Sequence, residues 1–327
     1  MWCSWRGGQT PEGDGASLRA QIKPPATDLL ASQGSARRRG LARRAFGDVA
    51  ARESFSRVFQ MVTTTPTPQG TLTGNVLFYS NPEPLAKELH SKMGVKRMDG
   101  PFAFAKVGHA VPLTVGEFPL AMVTGPIIFV GDEKLPIAVM GLNAGENMFV
   151  KDDGTFEAGI YIPAYIRRYP FVFANDENAK QMVLCIDRGA EFVTDTDYDM
   201  GFFEPNGEPT EYTKNCIEFC NNFEIERQRT MGFVQLLKDL DLFETKEATF
   251  TPPGPDGTPG ETQKIAEYFG VSEEKLNALP PAKFVELRDN GALGQIYAHM
   301  HSLVGWDRLI ALAMTRASEQ PAPVLNS

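Results

Sequence analysis

The sequence predicts an α+β protein, with a short-stranded mixed or antiparallel sheet in its N-terminal half and helices in its C-terminal half. Three observations carry that expectation. From residue 102 onward the apolar runs are brief (FAFAKV, AVPLTV, PIIFV, PIAVMGL) and cut by turn residues, which suits strands better than long helices. After residue 210 the apolar positions fall at intervals of three and four, the spacing of an amphipathic helix. Between those habits and the last helices lies TPPGPDGTPG at 251–260, which is loop by composition.

Taken in order, residues 1–60 stand apart. They carry ten Lys and Arg against five Asp and Glu, with a basic run at Arg37, Arg38, Arg39, Arg43 and Arg44. No apolar stretch follows as a secretory signal requires. The readings left open are a misplaced start with Met61 as first residue, which is preferred, an Arg-rich targeting segment, and a disordered basic tail. Residues 61–74, rich in Thr, Pro and Gly, form a flexible lead-in. A first short strand is expected at 76–79 and a helical turn or two at 83–91, started after Asn81-Pro82.

The apolar runs from 102 to 142 supply the next strands. Asp153-Gly154, flanked by apolar residues, predicts a hairpin pairing 148–150 with 156–161. That acidic turn lacks the spaced ligands of a calcium loop. QMVLCID at 181–187 reads as a buried strand, and 200–203 as a strand before the turn Pro205-Asn206-Gly207. Residues 212–240 form a long amphipathic helix or a broken pair, with Cys216, Phe219, Cys220, Phe223, Met231, Val234, Leu237 and Leu240 at intervals near three and four as its apolar stripe. A strand or turn at 265–269 precedes a helix capped by Ser272, with Leu276, Leu279, Phe284 and Leu287 as its stripe. A last helix runs from about residue 293 to 314, after Asn290-Gly291, and the tail beyond 317 frays. The expected division is therefore a basic extension at 1–60, a β-rich part at 61–250, and a helical part of the same body at 251–327.

Charge and composition exclude some classes of function. Residues 61–327 hold 22 Lys and Arg against 36 Asp and Glu, a net charge of −14, which repels phosphate backbones and argues against nucleic-acid binding. No apolar run approaches the roughly 20 residues of a membrane-spanning helix. The longest, 111–130, is interrupted by Glu117, Pro112, Pro119 and Pro126. Four cysteines, Cys3, Cys185, Cys216 and Cys220, are too few and too uneven for a disulfide framework, and reduced thiols point to the cytoplasm.

The densest chemistry lies at 141–173, where Tyr161, Tyr165, Tyr169, Phe171 and Phe173 surround Arg167 and Arg168. Arginine among aromatic rings can stack on them and grip a carboxylate or phosphate with two parallel bonds. Equally, one of the pair can brace the fold against an internal acid such as Glu146 or Asp187. Glu117, between apolar stretches, is either buried and paired or the start of a short helix, where the helix dipole favours it. His109, His299 and His301 are the candidate metal ligands. On a helix, however, residues two apart point about 200° from each other, so His299 and His301 would not converge on one ion. No nucleophile elbow, P-loop, dinucleotide fingerprint or zinc-protease motif is present.

Several of these stretches resemble the SapC family, bacterial proteins named after a gene linked to paracrystalline surface layers. Pro112-Leu113, Glu117-Phe118 and Pro126-Ile127-Ile128-Phe129 are similar to its first element. The run from Tyr161 to Phe171, YIPAYIRRYPF, is its most specific motif, and Gly291, Leu293, Tyr297 and His299 fit a later one. The resemblance spans about 88–312 and implies a fold more firmly than a mechanism.

Together these readings lead to a non-catalytic accessory or binding protein in which Arg167, Arg168, Tyr165, Tyr169 and Glu117 meet an anionic small molecule or a protein partner. No cofactor is expected, and an oligomer is left open. The alternatives are a structural surface-layer subunit, which would place the chain at the cell surface, and a metal-dependent enzyme using the histidines.

Overall fold

In chain order the strands are β1 (Pro82–Pro84), β2 (Gly94–Val95), β3 (Ala110–Pro112), β4 (Ile127–Val130), β5 (Leu135–Val139), β6 (Phe171–Asp176), β7 (Gln181–Asp187), β8 (Val193–Thr194), β9 (Met200–Gly201), β10 (Phe243–Phe250) and β11 (Gln263–Val271). The helices are α1 (Lys87–His90), α2 (Phe118–Ala121), α3 (Ala164–Arg167), α4 (Glu211–Asp239), α5 (Glu273–Asn277), α6 (Pro281–Asp289), α7 (Ala292–Ser302) and α8 (Gly305–Glu319). This computed structural model describes residues 76–176, 181–252 and 258–319, so the expectations for 1–60 and 61–74 lie outside the described residues.

The described strands form antiparallel sheets ordered β10-β11-β4-β5-β3, β1-β7-β6 and β8-β2-β9. The first is the centre of the molecule. Its strands β4 and β5 form a tight pair, Ile127 opposite Ala138 through Val130 opposite Leu135, and every β4 residue is buried. Full burial on both faces explains why PIIFV reads as an unbroken apolar run rather than an alternation. Strand β11 joins this sheet from far along the chain, pairing with β10 along its length and meeting β4 at Phe269 opposite Phe129.

Two apolar cores result, and α4 connects them. One surrounds the five-stranded sheet and takes Phe223, Phe233, Val234 and Leu237 from α4. The other lies under the two smaller sheets and takes Cys216 and Cys220 from the same helix. At 29 residues α4 is about 43 Å long, enough to run beside both. It begins where Thr210 accepts a hydrogen bond from the Thr213 amide, an N-cap that satisfies one of its free donors. Neither cysteine is in a disulfide, nor is Cys185 on β7, whose pKa burial pushes up to about 11.

Several expected elements take another form. FAFAKV is a 3-10 turn at Ala103–Val107, with the Gly108 amide closing onto the Ala105 carbonyl. Residues 76–79 form a turn, with Phe78 at φ 78°, and the extended piece comes later, as β1. The hairpin around Asp153-Gly154 contracts to one bridge, Val150 to Phe156, because the chain turns away at Gly159, whose φ is 76°. Proline splits the helix expected after Ser272: Pro280 and Pro281 end one segment and begin the next. The final helix divides at Leu303 and Val304, where a Cβ on Gly305 would come 2.8 Å from the Gly125 backbone. Strand β10, with its charged FETKEATF sequence, was not foreseen at all; it is an edge strand, where such charges keep the free edge from pairing with another chain.

Candidate functional site

The helix α3 is one turn long and starts at Pro163, which has no side chain to cap it. A carboxylate from elsewhere in the chain fills that role. Glu117 is 6% exposed, and its Oε1 accepts from the Ala164 amide at 2.6 Å and from the Tyr161 hydroxyl at 2.9 Å. Its Oε2 accepts from the Thr114 amide at 2.8 Å and the Thr114 hydroxyl at 2.7 Å. Glu117 is thus both buried and placed just before α2, but its charge is met by four donors rather than by that helix. It stitches the two most characteristic motifs of the sequence together.

Arg167 belongs to the same network. Its Nε donates to the Ile162 carbonyl at 2.9 Å and its Nη2 to the Tyr161 hydroxyl at 3.2 Å, while its guanidinium lies 5.2 Å from the Phe219 ring centroid. Tyr161 in turn donates its hydroxyl hydrogen bond to Glu117. Burial first, and then the charge of Glu117, push the Tyr161 phenol well up, so it stays a neutral donor.

Arg168 follows a different path. Its guanidinium carbon sits 4.1 Å from the Tyr165 centroid and 4.5 Å from that of Phe223 on α4, with Tyr79 at 5.8 Å. The Tyr165 and Phe223 centroids are 6.3 Å apart, well short of the sum of the first two distances. The rings of Tyr165 and Phe223 therefore meet the cation from adjacent sides, as a corner, with Tyr79 farther off as a third ring. Its Nε is buried with no hydrogen-bond partner, and among the described residues no carboxylate reaches ion-pair distance of it. An acid that feels its charge is Glu224, which Arg227 holds with bonds of 2.8 and 2.6 Å. Burial works against the ionised Glu224, but Arg227, and more weakly Arg168, outweigh it and keep its carboxyl below its ordinary range.

The two acids expected as braces are engaged elsewhere. Asp187, fully buried, accepts from the Ser80, Asn81 and Gly189 amides and from the Tyr169 hydroxyl at 3.1 Å. That bond fixes Tyr169, which also stacks on Phe104 with centroids 4.1 Å apart. Glu146 lies by Asn143 and Arg316. Tyr165 donates to the Leu77 carbonyl at 3.4 Å. Of the residues singled out in the sequence, Glu117 and Arg167 share one network, Tyr165 and Arg168 share the aromatic corner, and Tyr169 belongs to the Asp187 cluster.

The three histidines attach to different places. His109 accepts from the Gly145 amide through Nδ1 at 3.3 Å. His301 is exposed and stacks on Tyr297. His299 is fully buried with both nitrogens engaged: Nε2 accepts from the Val271 amide at 3.0 Å, and Nδ1 bonds the Ile127 carbonyl at 2.8 Å. The register that sets Phe129 opposite Phe269 would place Ile127 opposite Val271, so the imidazole occupies a missing rung between β4 and β11. Ser302, one turn on, completes the joint by accepting from the Ile127 amide at 2.9 Å. Among the described residues no group of three or more His, Cys, Asp or Glu is arranged to hold a metal ion. Likewise no helix of the described residues is long and apolar enough to cross a membrane.

Sequence reasoning missed Tyr161 as the link between Glu117 and Arg167, and Phe223 and Glu224 as neighbours of Arg168. Tyr161 lay in the motif and could have been found from its spacing. The α4 residues carry no local signal, since only the packing of α4 on α3 brings them in.

A model of the SapC family matches residues 85–309 of the chain. No curated protein and no solved structure matches it.

Proposed function

Because the chain belongs to the SapC family, and its most specific motif contains a cation without a counter-charge, we propose that it is a non-catalytic binding or accessory protein whose contact group is Arg168. The observation that carries this reading is the buried, unpartnered Nε of a guanidinium that two aromatic rings hold at a corner. An unpaired charge in such a place is costly, and an incoming anion repays that cost through charge-assisted bonds. Arg167 and Glu117 are the frame that holds α3, and with it Arg168, in position.

The test compares two alanine variants. Arg168→Ala keeps the fold, read by circular dichroism, and loses anion binding, read by calorimetric titration. Arg167→Ala instead lowers the unfolding midpoint, because it releases the Ile162 and Tyr161 contacts. The proposal fails if wild type binds no anion, or if Arg168→Ala binds as wild type does.

We place the protein in the cytoplasm, on its reduced thiols and acidic body, with a surface-layer role as the alternative. Cell fractionation with protease treatment of intact cells decides between them: cleavage from outside sinks the cytoplasmic placement.

A further inference from the structure

The cations beside Arg168 limit what its occupant can be. Three guanidinium groups lie around the junction of α3 and α4, and two are committed. Arg167 is bonded to the Ile162 carbonyl and the Tyr161 hydroxyl. Arg227 is bonded twice to Glu224. The third, Arg168, has a neutral side-chain partner in Tyr165 but no carboxylate at ion-pair distance among the described residues, its Nε is unpartnered, and its surroundings are otherwise aromatic: Tyr165, Phe223 and Tyr79.

A phosphate group at neutral pH carries close to two negative charges, and a site with one free cation leaves much of that uncompensated. A carboxylate carries one charge, and its two oxygens match one edge of a guanidinium. The aromatic corner adds a second requirement. Ring faces reward an apolar body beside the charged group, since they offer dispersion and burial but no hydrogen-bond acceptor for a polar one.

Resting on the reading of Arg168 as the contact group, we propose that the occupant is a monocarboxylate with an apolar body. Arg168 takes the two carboxylate oxygens through the edge that carries its unpartnered Nε, and the body lies against Phe223 and Tyr165. The carboxylate can belong to a free organic acid or to the end of a peptide.

The experiment is calorimetric titration of the full chain with phenylacetate, acetate, inorganic phosphate and a tripeptide ending in phenylalanine, its carboxyl either free or amidated. Phenylacetate is expected to bind about ten-fold more tightly than acetate, the gain of burying its ring, and phosphate not to bind measurably. Arg168→Lys, which keeps the charge but not the fork, weakens phenylacetate about ten-fold, and Lys283→Ala, which removes an exposed cation paired with Glu286 on α6, leaves it within a factor of about three. Tighter binding of the free-carboxyl tripeptide than of phenylacetate assigns a peptide end as the source, and the reverse assigns a free acid; both uphold the class. Phosphate binding ahead of every carboxylate overturns the class while leaving Arg168 as the contact group. Absence of any binding, or binding that Arg168→Lys and Arg168→Ala leave untouched, overturns the class and the reading beneath it.

Discussion

His299 makes acid stability the sharpest quantity to measure. Burial first, helped by the nearby charge of Lys246, lowers its pKa from 6.5 to about 4, although the bond to the Ile127 carbonyl works the other way. The folded protein therefore refuses a proton that the unfolded chain accepts. The sign follows: above the unfolded value both states are neutral and nothing is lost, and as pH falls toward about 4 the unfolded state gains protons alone and stability drops. At about 1.4 kcal/mol per pH unit the loss is on the order of 3 kcal/mol, and it levels off below the folded value. The chemistry is direct, because a proton on Nε2 would face the Val271 amide hydrogen that Nε2 now accepts. Urea unfolding of wild type and His299→Gln from about pH 7 to about pH 4 isolates this group, since the carboxylates titrate in both proteins. The variant starts less stable, by about 1 to 3 kcal/mol for imperfect bonds to Ile127 and Val271, and falls less steeply. Parallel curves across that range would show that His299 is not the neutral rung described above.

Two further substitutions probe the frame of the site and the joint between helices. Glu117→Ala strands the Ala164 and Thr114 amides and two hydroxyls in the interior and is expected to cost about 3 kcal/mol or more, with Glu117→Gln recovering part of it; an unfolding midpoint within error of wild type for both would remove Glu117 from its role. Gly305→Ala pushes a methyl group against the Gly125 backbone and should destabilise by about 1 to 3 kcal/mol, measured by thermal melting, whereas Gly294→Ala on α7, which meets nothing within 4 Å, should be neutral or slightly stabilising.

The fold was legible where one physical signal dominated. The three-and-four spacing of α4 and the apolar runs of β4, β5 and β7 reflect burial directly, and those elements stand where the sequence puts them. FAFAKV alternates like a strand, yet Gly100, Gly108 and their close neighbours bend it into a turn, which alternation does not encode. Strand β10 was illegible because an edge strand buries little and its charges mask it. The site divides the same way. The Tyr and Arg motif announces itself, and helix geometry foretells that His299 and His301 diverge, while only the packing decides that His299 is the inward one and His301 faces solvent. That Arg167 braces while Arg168 is left without a counter-charge depends on Glu117, Phe223 and Glu224, which are distant in sequence and meet only after packing.

Strand β11 lies between β10 and β4 in a sheet whose other members β3, β4 and β5 all precede residue 140. During synthesis those three strands emerge more than a hundred residues before the strand that completes them. At about 5 to 20 residues per second, β4 waits on the order of ten seconds with one edge unpaired. A nascent chain in that state is a substrate for chaperones and for pairing with its own copies. Truncation before residue 263 makes the wait permanent, so any shortened version used to study the aromatic and arginine motif has to retain the C-terminal strand, however far it lies from that motif in sequence.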